Sequence, residues 1–221
     1  MQEITIIFDL DGTIVDTAPD LHGALNHSLR RAGRDIIDLE HVRHMVGRGA
    51  RVLLERGLEA TGGLPESERF EELVEDFFTY YQEHLSDQSR PFEGVVEALE
   101  TFRDAGAVMG VCTNKPMRFA KDLLIDLNLA QYFKATTGGD SFKVRKPDAG
   151  HIIGTLEAMG HNGGRAYMIG DSISDIDAAH NAGIPCIAVS YGYTETPVHK
   201  LGPDYIIDHF NELVPLIRQI G

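Results

Sequence analysis

The chain has 221 residues, 43% hydrophobic and 24% charged, enough for one large domain or two small ones with a real core. Its formal net charge of -14 is spread along the chain, which argues against capture of nucleic acid or an anionic membrane and leaves any phosphate-bearing ligand to a local cation or metal. No signal peptide precedes the first strand, no apolar run reaches bilayer length, and Cys112 and Cys186 lack Cys-x-x-Cys spacing, so a cytoplasmic protein with reduced thiols is expected.

The run Ile4-Thr5-Ile6-Ile7-Phe8 predicts a buried strand that stops at Asp9-Leu10-Asp11-Gly12-Thr13. Asp9 and Asp11 are two apart, so an extended backbone projects both from one side, and Gly12 permits a sharp turn after them. Such a pair sheds its charge by binding a cation or a proton, or by using one carboxylate as a nucleophile; the plain alternative is an acidic turn after a strand. From about Asp16 to about Leu85 the periodicity is helical, with no strand expected. Leu21, Ala24, Leu25 and Leu29 mark one helix with Pro19 in its first turn, Val52 to Leu58 a second, and Phe70 to Leu85 a third. After Arg90-Pro91-Phe92-Glu93-Gly94, helices over 95–105, 119–127, 152–159 and 176–182 alternate with strands over 108–113, 133–137, 166–170 and 186–190. A strand over 205–207 and a helix from about Phe210 close the series. The expectation is an α/β fold: a Rossmann-like parallel sheet with helices on both faces, residues 1–16 and 87–221 forming the core and 17–86 an inserted helical cap.

Ligands of such sheets bind at the carboxyl ends of the strands. There the chain places Asp9 and Asp11, then Thr113-Asn114, then Gly170-Asp171-Ser172 with Asp175 one helical turn on, while Lys146 lies in the loop after the third core strand. Carboxylates without a nearby histidine suit Mg²⁺ rather than zinc or copper, and a hydroxyl, amides and a lysine beside it form a cradle for a phosphoryl group. In that setting Asp9 can attack phosphorus while Asp11 protonates the departing oxygen and later deprotonates a water. Singly, Lys146 reads as a surface lysine and Thr113 as a turn-capping hydroxyl; agreement among four strand ends favours the site.

The motifs Phe8-Asp9-Leu10-Asp11-Gly12-Thr13, Thr113-Asn114-Lys115, Arg145-Lys146-Pro147 and Gly170-Asp171-Ser172-x-x-Asp175, in this order around a helical insert, resemble those of haloacid dehalogenase superfamily phosphatases. Asp16-Thr17-Ala18-Pro19-Asp20-Leu21, Val46-Gly47-Arg48-Gly49-Ala50 and Gly138-Gly139-Asp140-Ser141-Phe142 look most like the phosphoglycolate phosphatases within it. The resemblance implies Asp9 as nucleophile, Asp11 as general acid and base, and Thr113 and Lys146 as phosphate contacts, with Asn114 beside them. It implies Mg²⁺ held by Asp9, Asp171 and the backbone carbonyl of Asp11, with Asp175 behind these ligands. Asp11 argues against dehalogenases, and Leu21 stands where sugar-phosphate mutases carry a histidine. Ala149 departs from the usual proline and shifts a helix start at most.

The insert is expected to act as a lid. Arg48 on the loop Gly47-Arg48-Gly49 is the candidate contact for an acidic substrate and Arg51 the second choice; an exposed loop arginine is the alternative. His41 with His44, and His22 with His27, have metal-like spacing but no partners, and read as solvated helix faces. Phe77, Phe78, Tyr80 and Tyr81 read as packing of the third insert helix. The expected activity is Mg²⁺-dependent hydrolysis of a small phosphorylated metabolite, 2-phosphoglycolate first, by a monomer or homodimer that binds neither nucleic acid nor membrane. A sugar-phosphate, nucleotide or pyrophosphate hydrolase, a phosphomutase, and a phospho-accepting receiver-like module are the alternatives.

Overall fold

The computed structural model describes residues 4–194 and 196–221. Strand β1 (Ile4–Phe8) leads through a turn to the two-residue strand β2 (Val15–Asp16), and helices α1 (Ala18–Arg31), α2 (Leu39–Met45), α3 (Ala50–Ala60) and α4 (Ser67–Glu83) follow. The chain returns through β3 (Arg90–Pro91) and continues as α5 (Val95–Asp104), β4 (Val108–Cys112), α6 (Met117–Asp126), β5 (Ala135–Thr137) and α7 (Ala149–Ala158). It closes with β6 (Arg165–Gly170), α8 (Ile173–Asn181), β7 (Cys186–Val189), β8 (Tyr205–Ile207) and α9 (Leu213–Ile220).

Six strands form one parallel sheet in the order β5-β4-β1-β6-β7-β8. β1 lies between β4 and β6 and all five of its residues are buried, which is why it reads as an apolar, β-branched run with Thr5 as its one polar member. Successive side chains serve opposite faces. Ile6 and Phe8 pack with Leu99 and Phe102 of α5 and Ile217 of α9, and Ile7 packs on the other side with Ile152 of α7 and Ile176 of α8. The first of these clusters continues without a break into Leu21, Leu25, Leu53, Leu73 and Phe77 of the helical insert. Inside the insert α1 touches α2, α3 and α4. No helix among the described residues is long and apolar enough to cross a membrane.

Two elements of the insert escape its periodicity. β2 and β3 pair antiparallel, Val15 opposite Pro91 and Asp16 opposite Arg90, so the expectation of no strand from Asp16 onward is corrected at its first residue. A two-residue strand carries no period, and its partner lies across the whole insert. α2 has only Val42 buried, too little apolar surface to mark a helix beyond the spacing of His41 and His44.

The paired ends of the insert are stapled by Asp20. Its buried carboxylate accepts the backbone N–H of Gln88 at 3.0 Å, the backbone N–H of Ser89 at 2.8 Å and the Ser89 hydroxyl at 2.6 Å. Asp20→Ala strands these donors and should lower stability by about 3 kcal/mol in denaturant unfolding. A loss below about 1 kcal/mol would mean that solvent replaces the carboxylate.

Candidate active site

Asp9 extends the β1 ladder by one bond, its N–H donating to Ile169 of β6 at 2.8 Å, so the sheet fixes where its carboxylate stands. Two residues on, Gly12 turns the chain at φ +82°, and a Cβ there would fall 2.5 Å from Asp171 Oδ2. Only glycine lets the first strand-end loop lie this close to the fourth. Lys146 Nζ, on the loop before α7, sits 2.9 Å from Asp9 Oδ1 and 2.5 Å from Asp175 Oδ1. The other Asp175 oxygen accepts the backbone N–H of Asp171 at 3.2 Å, the backbone N–H of Ser172 at 3.0 Å and the Ser172 hydroxyl at 2.7 Å. Asp175 therefore caps α8 and holds Lys146, with both oxygens engaged.

Asp171 is held more loosely, by the Thr13 hydroxyl at 3.1 Å and the Tyr193 N–H at 2.6 Å, one donor on each oxygen. Oxygen atoms of Asp9, Asp171 and Asp175 lie within 4.8 Å of one another, and all three residues are buried. Burial, opposed by Lys146 and reinforced by Asp175, pushes the Asp9 carboxyl from its ordinary 3.8 up to about 6. Burial followed by Asp175 and Asp9 pushes Asp171 well above its ordinary value. Lys146 is the one cation within ion-pair distance of this trio among the described residues, and it approaches Asp9 Oδ1 without the alignment of a hydrogen bond. An all-oxygen donor set with uncompensated negative charge and open valence on Asp9 and Asp171 fits Mg²⁺.

Asp11 is turned away from this cluster. Its two oxygens lie 3.0 and 3.3 Å from Lys115 Nζ, and the same ammonium donates to the Tyr81 hydroxyl at 2.6 Å. Lys115 belongs to the second motif, but no local spacing links it to an aspartate 104 residues earlier, and sequence reasoning gave it no part. Tyr81 is also more than packing, since its ring is buried in α4 while its hydroxyl reaches the site. Asn114 Nδ2 donates to the Lys146 carbonyl at 3.0 Å, tying the second strand-end loop to the third. Asp9, Asp11, Thr113, Asn114 and Lys115 line one cavity, walled on the side of the insert by Leu21, Val46, Gly47, Gly49, Ala50, Leu53 and Tyr81.

Arg48 is exposed and lines a neighbouring cavity with His44, Arg56, Ser172 and Thr194; Gly47 borders both. Arg51 is committed to Glu71 at 2.9 Å and lies over the Phe70 ring. His41 is exposed and paired with Asp38, and His44 is exposed with its ring near the Thr194 carbonyl. The expected solvated face for the other pair is corrected: His22 is half-buried against Asn26 and the Ile37 carbonyl, and His27 stacks on Tyr80.

Acids, a lysine and a hydroxyl gathered at the carboxyl ends of a parallel sheet, under a helical insert, define an α/β hydrolytic enzyme built for phosphoryl groups. Residues 6–189 match the family model of the haloacid dehalogenase-like hydrolases. The phosphoglycolate phosphatase of Agrobacterium fabrum is 46% identical over 213 residues, 96% of this chain and 91% of that protein. The phosphoglycolate phosphatase of Caulobacter vibrioides is 47% identical over 206 residues, 93% of this chain and 87% of that protein. A crystal structure of a predicted phosphoglycolate phosphatase from Haemophilus somnus superposes with a TM-score of 0.92 at 30% identity, covering 98% of this chain and 99% of that one. The chain belongs to the haloacid dehalogenase-like hydrolases, and within them it is a phosphatase.

The raised carboxyls give the pH dependence its sign. Asp9, with its pKa raised from 3.8 to about 6, binds a proton more tightly folded than unfolded, so its contribution to stability is lost as pH rises through that range, and a cation on the same oxygens offsets the loss. Mg²⁺ at about a hundred times its dissociation constant should raise the melting temperature by roughly 5–10 °C at pH 7.5 and by far less at pH 5. Equal rises at the two pH values, read by calorimetry, would place the cation elsewhere.

Proposed function

We propose that this phosphatase hydrolyses 2-phosphoglycolate with Mg²⁺ as cofactor, through a phosphoryl group transferred to Asp9. The observation that carries the reading is the division of partners between two acids on one cavity wall: Asp9 faces Lys146 and the buried carboxylates, Asp11 faces Lys115. Relatives of 46% and 47% identity named phosphoglycolate phosphatase support the substrate.

Asp9, Asp171 and the Asp11 backbone carbonyl would hold Mg²⁺, which supplies charge neutralisation for the phosphoryl oxygens and for the attacking carboxylate. Lys146 and the Thr113 hydroxyl bind the same oxygens from the sheet side, and Asn114 keeps the Lys146 loop in place. One Asp9 oxygen attacks phosphorus, the ester oxygen leaves as Asp11 delivers a proton, and Asp11 then takes a proton from the water that releases phosphate. Asp175 supports this chemistry by fixing Lys146. Residues 17–86 form the lid. Its apolar cavity wall, Leu21, Val46, Ala50 and Leu53, excludes water during transfer, and the loop carrying Arg48 brings a cation to the substrate carboxylate. The substrate is a small phosphorylated metabolite of the cytoplasm.

Purified protein with Mg²⁺ should release phosphate repeatedly from 2-phosphoglycolate ahead of sugar-phosphate, nucleotide and pyrophosphate substrates. Asp9→Asn should lose at least about 10³-fold in kcat, and an active variant would overturn the covalent route. Arg48→Ala should raise KM for 2-phosphoglycolate about tenfold while leaving that for p-nitrophenyl phosphate, which has no carboxylate, within about twofold. Equal changes for both esters would remove Arg48 from substrate selection.

A further inference from the structure

We propose that Tyr193 is a positioning residue that ties Asp171 to the helical insert, so that cation binding and docking of the insert form one linked equilibrium. This rests on the reading of Asp171 as a Mg²⁺ ligand.

Tyr193 is 2% exposed and stands in the loop after β7, reaching a different part of the molecule from each end. Its backbone N–H donates to Asp171 Oδ2 at 2.6 Å. Its ring fills the space beside Gly12, where a Cβ would come within 2.8 Å of it. Its hydroxyl accepts the Ala18 N–H at 2.9 Å, at the start of α1, and donates to the Asp16 carboxylate in β2. Asp16 is in turn gripped by both terminal nitrogens of Arg43, at 3.0 and 2.9 Å, and the Arg43 guanidinium lies 5.5 Å from the centre of the Tyr193 ring. Arg43 belongs to α2, the helix whose following loop carries Gly47 and Arg48.

The chain of contacts is therefore α2, the strand at the root of the insert, the phenol, and the carboxylate proposed to hold the cation. Its links suit the transmission of position. The Arg43–Asp16 pair is bidentate and mostly sheltered, with side-chain exposures of 25% and 28%, and the buried Tyr193 ring lies against Gly12 with the Arg43 guanidinium over it. A shift of α2 away from the sheet must break the Arg43–Asp16 pair or pull Asp16 from the phenol, and the residue that holds Asp16 by its hydroxyl holds Asp171 by its backbone N–H. Tyr191 supports the loop separately, its hydroxyl donating to the Thr13 carbonyl at 2.9 Å while the Thr13 hydroxyl holds the other Asp171 oxygen. Removal of the Tyr193 hydroxyl thus cuts the tie to the insert and leaves the backbone bond to Asp171 in place. Thermodynamic reciprocity then requires that whatever the insert contributes to the cation site, the cation contributes to the insert.

Calorimetric titration of the whole protein with Mg²⁺, without substrate, tests this in wild type, Tyr193→Phe, Arg43→Lys and Asp171→Asn. Tyr193→Phe should bind Mg²⁺ roughly tenfold more weakly than wild type, with Arg43→Lys between the two. The Mg²⁺ concentration for half-maximal phosphate release should rise by the same factor, whereas KM for 2-phosphoglycolate at saturating Mg²⁺ should move less than about twofold, a split that general loosening does not produce. Hydrogen exchange over residues 39–45 should slow on Mg²⁺ addition in wild type and not in Tyr193→Phe. Arg43→Lys, at the α2 end of these contacts, carries the same test if Tyr193→Phe does not fold. Wild-type affinity and Mg²⁺-slowed exchange in the folded variants, with Asp171→Asn failing to bind, would overturn the tie and spare the metal site. No binding by wild type, or undiminished binding by Asp171→Asn, would overturn the metal reading and the proposal with it.

Discussion

Three carboxylates and one ammonium share a buried volume at the ends of β1 and β6, and the rest of the molecule is arranged around that charge imbalance. Packing acids together out of water is costly, and the fold tolerates it because each is held by a rigid element. Asp9 is an extension of the central strand, Asp175 is locked into the first turn of α8, and Asp171 is fixed between Thr13 and Tyr193. None of them can swing into solvent to relieve the repulsion. The relief has to come from a cation, a proton or a phosphoryl group, and that requirement is the chemical potential of the site.

The two acids of the first motif begin with the same backbone direction and end in different environments. Burial and the neighbouring carboxylates act on Asp9, while Asp11 lies at the edge of the cavity with the Lys115 ammonium across both of its oxygens. A nucleophile has to be desolvated and aimed, whereas a proton carrier has to meet both the leaving oxygen and a later water. The proposed division of roles between Asp9 and Asp11 rests on this difference in surroundings, and Gly12 turns the chain away directly after them.

What was legible in the sequence is what is encoded locally. β1 announces itself because burial on both faces demands an apolar run, and Thr113, Asp171 and Asp175 follow because each sits directly beyond a strand or at a helix start, whereas Lys146 stands in the long loop between β5 and α7 and is marked by its motif alone. The helical insert shows through the buried stripes of α1, α3 and α4. The β2–β3 ribbon does not, since two residues have no period and their partners lie more than seventy positions away. Lys115 beside Asp11 and Tyr193 beside Asp171 were hidden for the same reason: each contact joins loops that only the assembled sheet brings together. α2 was weakly marked because its single buried residue leaves the rest of its surface to polar side chains.

The placement of the insert also has a physical reason. It leaves the core shortly after Gly12-Thr13 and returns at β3, so its two roots pair with each other beside the loop that carries Asp9 and Asp11. The insert is joined to the core by this short ribbon and by an apolar cluster that runs without a break from the sheet into α1, α3 and α4. Asp16 lies on the ribbon and Asp20 just beyond it, the first tied to α2 and the Tyr193 loop, the second to the returning chain at Gln88 and Ser89. Val46, Gly47 and Gly49 line the same cavity as Asp9 and Asp11, and the ribbon at the root of the insert begins four residues after Asp11.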